Sequence, residues 1–333
     1  MKPTPSDLKV EHLTTTNEAM ARCLRLAALA AKSDGPVVLL GETGTGKTLL
    51  AHAIHNSSAR AGQPFIAFNA SAMSDTLLES QLFGHERGAF TGAQQTVKGK
   101  FELANSGTLF LDEIAEMSQL AQVKILHVLE YGEFERLGSE RMLTSNARII
   151  SATNCSLRES IREGKFREDL FHRLNGLTLL IPPLRERREE LPALIAVELK
   201  ASAAIAGKTI TAIHPEAMQK LLVYQWPGNL RELNHTVRTM ALFCDGQVVR
   251  PEHVVFPSDL APNEEDGTRL GRGSNAQLND RDDAGHDLTL SGAVARHIRF
   301  VHKHANENQR RTAKLLRISR ATLSRHLRAM NQA

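Results

Sequence analysis

The sequence predicts an α/β fold: a parallel sheet flanked by helices, with a helical subdomain behind it and a small all-α module at the C-terminus. Three observations carry this expectation. Up to about residue 184, short apolar runs alternate with helical patterns, which is how a parallel sheet covered on both faces reads. A glycine-rich turn joins the first of these runs to a helix. Charge is also split along the chain. The net charge is +4, yet residues 289–333 hold 10 basic side chains against the single acid Glu307.

Composition narrows the class. The 333 residues leave room for roughly two domains. With 41% hydrophobic and 23% charged residues, the chain is globular in composition. No apolar run approaches the ~18 residues of a membrane span, and Met1-Lys2-Pro3-Thr4-Pro5 lacks the apolar core of a signal peptide. The expectation is a cytoplasmic protein without membrane attachment. Cys23, Cys155 and Cys244 are scattered and show no C-x-x-C spacing, so they read as buried thiols in a reducing compartment. The 14 histidines form no H-E-x-x-H or similar set, and no protein-held metal site is expected.

The elements follow in order. Strands are predicted over 36–40, 65–69, 108–111, 148–153 and 177–181, each short, apolar and bounded by turn residues. Helices fall between them, one over 48–59 and one over 118–131, where apolar residues recur at three and four. After about residue 185 the strands stop, and 189–206, 215–224 and 229–243 read as helices of a small subdomain. Residues 257–288 hold 3 basic and 8 acidic side chains among Gly, Asn and Ser, too few apolar groups to offset chain entropy. They read as an acidic linker. The basic module beyond it has the footprint of a polyanion binder. The boundaries are a short N-terminal segment 1–12, an α/β subdomain 13–184, a helical subdomain 185–256, the linker 257–288 and the module 289–333.

The turn after the first strand is Gly41-Glu42-Thr43-Gly44-Thr45-Gly46-Lys47-Thr48 and fits G-x-x-x-x-G-K-[ST]. Its glycines let backbone N–H groups wrap phosphates, and the helix that follows adds positive potential. Lys47 reaches the β- and γ-phosphates, and Thr48 can hold Mg²⁺. The dinucleotide fingerprint G-x-G-x-x-G spaces its glycines differently and has no need of Lys-Thr, so it is rejected. Downstream, Leu109-Phe110-Leu111-Asp112-Glu113 is a strand ending in two acids. Asp112 suits Mg²⁺, and Glu113 suits the activation of an attacking water.

These residues resemble the AAA+ domain of bacterial sigma-54-dependent transcriptional activators, the enhancer-binding proteins. The resemblance runs over most of 13–256 and resumes at 289–331. Its most specific piece is Gly88-Ala89-Phe90-Thr91-Gly92-Ala93, the GAFTGA loop, which the resemblance implies touches sigma-54. Glycines at both ends let a short loop rise, and an exposed Phe90 there is costly without a partner. The resemblance further implies ATP and Mg²⁺ as ligands and a homo-oligomeric ring, a hexamer by family habit. It implies that Asn69 restrains Glu113, that Asn154 after Thr153 is a sensor, and that Arg167 and Arg173 reach a neighbouring subunit's ATP. Arg231, within Trp226-Pro227-Gly228-Asn229-Leu230-Arg231, takes the γ-phosphate of its own subunit. A guanidinium at a subunit seam makes hydrolysis depend on assembly.

The C-terminal module resembles the Fis-type helix-turn-helix of the same family, with helices over 290–304, 309–316 and 320–328. Arg310, Arg311, Ser319, Arg320, Thr322, Ser324, Arg325 and Arg328 are then the DNA-contacting residues, with Ser319 capping the recognition helix. Leu316-Arg317-Ile318 departs from the family's Leu-Gly-Ile, and a left-handed turn residue is costly for Arg. Only about a dozen residues precede the ATPase, so the chain resembles the subgroup that lacks a regulatory domain and is controlled by a separate protein or by its own abundance. The implied function is ATP-driven remodelling of sigma-54 RNA polymerase from upstream enhancer DNA. A repressor that keeps the fold without touching sigma-54 is the alternative, and an incomplete GAFTGA would mark it. An AAA+ unfoldase is a further rival, but it would need a different pore loop and no basic helix-turn-helix.

Overall fold

The computed structural model describes residues 7–71 and 73–260, with Gln309, Thr312 and Leu323 beyond them. The chain divides into two compact units, 1–263 and 264–333. In the second unit the three described positions are helical, with Gln309 exposed and Thr312 and Leu323 buried. The predicted linker, beyond its first residues, and the helix-turn-helix, with its candidate DNA contacts from Arg310 to Arg328, otherwise lie outside the described residues.

In the first unit the strands are β1 (Val37–Leu40), β2 (Phe65–Asn69), β3 (Gly84–His85), β4 (Val97–Lys98), β5 (Thr108–Asp112), β6 (Glu133–Glu135), β7 (Met142–Thr144), β8 (Arg148–Thr153), β9 (Leu177–Leu180), β10 (Ala212–Ile213) and β11 (Val248–Val249). Five of them form a parallel sheet in the order β2-β5-β8-β1-β9. β8 is buried at every residue and β5 at all but its last, so neither shows the alternation of a strand with one wet face. The helices are α1 (Glu18–Ala31), α2 (Lys47–Asn56), α3 (Asp75–Phe83), α4 (Lys100–Leu103), α5 (Gln119–Tyr131), α6 (Leu157–Arg162), α7 (Glu168–Leu174), α8 (Leu191–Ile205), α9 (Pro215–Val223), α10 (Asn229–Phe243) and α11 (Pro257–Leu260). Among them α1 and α2 cover one face of the sheet, over Leu39, Phe110 and Ile150. The other face packs Leu109, Leu111 and Ile149 against α3, α5 and α7.

A third core, built on Trp226, Leu191, Ile195, Leu233 and Val237, belongs to the helical subdomain formed by α8, α9 and α10. Trp226 is fully buried and donates its indole N–H to the Leu221 carbonyl at 3.0 Å. That bond satisfies the one polar atom its ring carries inside.

Some expectations need correction. The helix expected over 48–59 begins at Lys47 and stops at Asn56, because the next turn is spent holding Arg60 against Asp34 and the carbonyls of Gly107 and Asn146. The helix expected from 189 starts at Leu191, after a tight turn over Arg188–Glu190. Cys23 and Cys244 are buried as expected, whereas Cys155 is exposed, since it follows β8 where the chain leaves the sheet. No helix among the described residues is long and apolar enough to cross a membrane.

Candidate functional site

β1 ends at Leu40 and the chain turns at once into the phosphate loop, whose Gly41 N–H is tied to the Thr153 carbonyl of β8 at 3.3 Å. Gly44 (φ +82°) and Gly46 (φ +105°) both take the left-handed conformation, which an L side chain adopts only with strain. Their turn closes on itself through Thr45, whose hydroxyl donates to the Glu42 carbonyl at 2.8 Å. Lys47 opens α2 and is only 6% exposed. Its ammonium donates to the carbonyls of Gly41 (2.8 Å) and Glu42 (3.4 Å) and stands 3.8 Å from the Glu113 carboxylate.

A cavity of about 780 Å³ opens beside this loop. Thr43, Gly44, Gly46, Lys47, Thr48, Asp112, Glu113 and Arg231 all face it, so the two acids at the end of β5 and the lid arginine converge on the phosphate loop. Leu49, Leu194, Val197 and Leu230 supply an apolar wall. Gly41, Glu42, Thr45, Asn69, Asn154, Arg167 and Arg173 are not among its lining residues. The Glu42 carboxylate turns the other way, into a bidentate pair with Arg185 at 2.7 and 2.8 Å, and that guanidinium holds its carboxyl below the usual range.

Glu113 is left-handed too, at φ +53°. A non-glycine residue in that region stores local strain, and such positions cluster at functional sites. The conformation turns Glu113 out of the line of β5, while Asp112 accepts the Glu113 N–H at 3.1 Å. The Glu113 carboxylate accepts from the Asn154 backbone N–H at 3.3 Å, and the Asn154 side chain donates to the Thr43 hydroxyl at 3.1 Å. Asn69, expected to restrain Glu113, instead accepts the Ser71 N–H at 2.8 Å. It lies beside Asp112 across the β2–β5 ladder, and its Oδ1 is taken up by its own turn. Glu113 is held by Asn154 and Lys47.

The sequence reading passed over Asn229 and Arg185. Asn229, fully buried at the start of α10, gives its amide to the phosphate loop and its carbonyl to the chain entering the lid. A short polar residue between glycine and a helical run is the signal that could have found it.

Arg173 stands on α7 and Arg167 immediately before it, both away from the cavity. Arg167 is paired with Asp169 at 2.6 Å. Arg173 is exposed and donates twice to the Leu129 carbonyl near the end of α5, at 2.7 and 3.0 Å. The 88–93 loop also stands apart. Gly88 (φ +86°) and Gly92 (φ +105°) are left-handed, and the Gly88 N–H closes the loop onto the Ala93 carbonyl at 2.9 Å. Thr91 and Gly92 are exposed and Ala93 is buried. Phe90 was expected bare. It is half-buried, with its ring edge-on to His85 at 4.9 Å, because the loop folds back over its own stem. Arg136 braces that stem by pairing with Glu86 and Glu102, each at 2.7 Å.

A model of the sigma-54 interaction domain family matches residues 13–180, half of the chain. The chain belongs to the sigma-54 interaction domain family. A model of the AAA+ ATPase lid domain matches residues 185–271. Among relatives, the chain is 39% identical to the phenol regulator MopR of Acinetobacter guillouiae, over 97% of this chain and 57% of that protein. It is 41% identical to the regulatory protein AtoC of Escherichia coli K12, over 94% of this chain and 66% of that one. Against the DNA-binding transcriptional regulator NtrC of Klebsiella pneumoniae the figures are 40%, 94% and 68%. The chain thus spans between 57% and 68% of the length of these three relatives. The crystal structure of NtrX from Brucella abortus in complex with ADP superposes with a TM-score of 0.68 at 31% identity, covering 95% of this chain and 68% of NtrX. The NtrX complex with ATP gives 0.67 at the same identity. The α/β sheet of the sigma-54 interaction domain and the lid that follows it are those of the AAA+ fold.

Proposed function

We propose that the protein is an ATPase that activates sigma-54 RNA polymerase from upstream DNA. The observation that carries this reading is the convergence of Lys47, Asp112, Glu113 and Arg231 on one cavity, in a chain that also carries an uninterrupted GAFTGA loop. The NtrX structures with ADP and ATP support nucleotide as the ligand.

The residues fit a nucleoside triphosphate with Mg²⁺. Lys47 is a buried cation whose partners are two carbonyls and one carboxylate, and phosphate oxygens are stronger acceptors for it. Gly44 and Gly46 line the same space, and Leu49, Leu194 and Val197 would give the base an apolar wall. Thr48 and Asp112 would hold the metal, which would supply positive charge against the charge that develops on the phosphates. Glu113 takes a proton from the attacking water. Its contact with the Asn154 N–H keeps the carboxylate beside Thr43, so the sensor and the base share one mount. Arg231 faces the γ-phosphate. Arg167 and Arg173 serve a neighbouring subunit in a ring, and Arg173 leaves the Leu129 carbonyl to do so. Thr91 and Phe90 meet sigma-54 at the tip of their loop, and the basic module with Arg320 and Arg325 holds enhancer DNA, in the cytoplasm.

The test separates binding from turnover. The unsubstituted chain should hydrolyse ATP and open a sigma-54 promoter in vitro. Glu113→Gln should bind ATP–Mg²⁺ yet lose about 10²–10⁴ in rate, the range for a general base. Lys47→Ala should lose binding. Steady-state ATPase near normal in Glu113→Gln would refute the assignment.

A further inference from the structure

We infer that Asn229 is a positioning residue that sets Arg231 against the phosphate loop, with Glu42 as its counterpart on the loop; this rests on the nucleotide site proposed above. The Asn229 side chain is fully buried and makes three contacts with two other segments. Its Oδ1 accepts the Leu184 N–H at 2.7 Å, where the chain enters the lid. Its Nδ2 donates to the Thr43 carbonyl at 3.0 Å and to the Glu42 carboxylate at 3.2 Å. One amide therefore joins the loop, the lid entry and the first turn of α10.

The backbone repeats the connection. Leu230 N–H donates to the Gly44 carbonyl at 3.0 Å. Asn229 itself is left-handed, at φ +52°, a conformation that Asn tolerates better than most residues because its short amide bonds locally. Arg231 follows two residues later in α10, and its side chain makes no hydrogen bond or ion pair among the described residues. Its direction is set by the backbone that Asn229 holds. Glu42 explains why an acid can stand in a phosphate loop. Arg185 grips its carboxylate from outside, so its charge is offset at the anchor and repels the phosphates less.

A residue that acts through Arg231 must affect ATP more than ADP, because only ATP carries the γ-phosphate. The experiment measures ATP and ADP affinity by calorimetry on the full chain, comparing Asn229→Asp, Arg231→Ala and the double variant. Asn229→Asp is isosteric, tolerates the left-handed turn and keeps the acceptor for Leu184, but it loses both donors and opposes Glu42. It should weaken ATP about tenfold, the equivalent of one charge-assisted hydrogen bond, and leave ADP within about twofold. The double variant should bind ATP no more weakly than Arg231→Ala alone, since coupled residues are not additive. Adding Glu42→Gln to Asn229→Asp should restore part of the ATP affinity, because the amide then donates in the opposite direction. If Asn229→Asp does not fold, Arg185→Ala at the surface should give the same ATP-selective loss on a smaller scale. Equal loss of ATP and ADP, or additive effects in the double variant, would overturn the inference. If the unsubstituted chain binds neither nucleotide, the proposed site itself falls, and that outcome is distinct from the others.

Discussion

The phosphate loop and the GAFTGA loop are both short, glycine-hinged and left-handed at two glycines, yet they are held in opposite ways. The phosphate loop is pinned from outside: Gly41 to β8, Thr43 to Asn229 and Asn154, Gly44 to Leu230. A Cβ on Gly44 would stand 2.3 Å from the Gly228 carbonyl oxygen. The GAFTGA loop is closed mainly onto itself, and a Cβ on Gly88 or Gly92 would meet nothing within 4 Å. Closely similar φ angles therefore answer two demands. One glycine is needed because another segment occupies the side-chain space, the other only because the chain must turn.

The largest expected effect breaks the comparison at that point. Gly44→Ala should abolish ATP binding, since it adds a backbone clash to left-handed strain. Gly92→Ala meets only the strain, about 1–2 kcal/mol, and should leave ATP affinity unchanged in the same titration. Equal losses in the two variants would mean that the lid contact plays no part. A subtler effect comes from Thr91→Ala, whose exposed side chain touches none of the phosphate loop. ATPase should persist within about twofold, while promoter opening in vitro falls by an order of magnitude or more. A matching loss of ATPase would show that the two loops are not separable.

The smallest effect concerns pH. His52 and His55 lie on α2, just behind the phosphate loop, and burial lowers the pKa of both. His55 Nδ1 is 2.9 Å from the Thr108 hydroxyl, and His52 lies against the Phe65 ring at 3.9 Å. The stability that comes from keeping them neutral is complete above the unfolded value near 6.5, and it is lost as pH falls through their lower folded values. The melting temperature should drop by about 2–4 °C between pH 7 and pH 5.5. His52→Gln with His55→Gln should flatten that slope. Glu86, at the stem of the GAFTGA loop, has its pKa lowered by its bonds to Thr96 and Arg136, so its contacts should fail only in a more acidic window.

Much of this was legible in the sequence. The five strands of the main sheet were, because strands buried on both faces read as continuous apolar runs. The phosphate loop was legible because its spacing has one chemical purpose. The hairpins β3–β4 and β6–β7 are two or three residues per strand, too short to show a period. α1 is rich in alanine, which marks a buried face weakly. The left-handed turns at Glu113, Trp226 and Asn229 were hidden for a different reason. Nothing local favours them in Glu113 or Trp226, and Asn only tolerates one, so tertiary contacts impose them, and the residue types show only an acid, an aromatic and an amide. The route by which Glu113 is held was hidden in the same way, since it runs through the backbone N–H of Asn154 rather than through a side chain.

Where Gly44 meets Gly228, two backbones touch with no side chain between them to yield. A lid that tilted about that contact would move each of its residues in proportion to their distance from it. α10 starts there and runs 15 residues, a lever arm of about 22 Å at 1.5 Å per residue, so a tilt of about 10° carries its far end about 4 Å. Arg231, close to the contact, would barely move, while Phe243 at the far end would sweep the full arc. Such a tilt would leave the end beside the phosphate loop nearly still and displace the outer end.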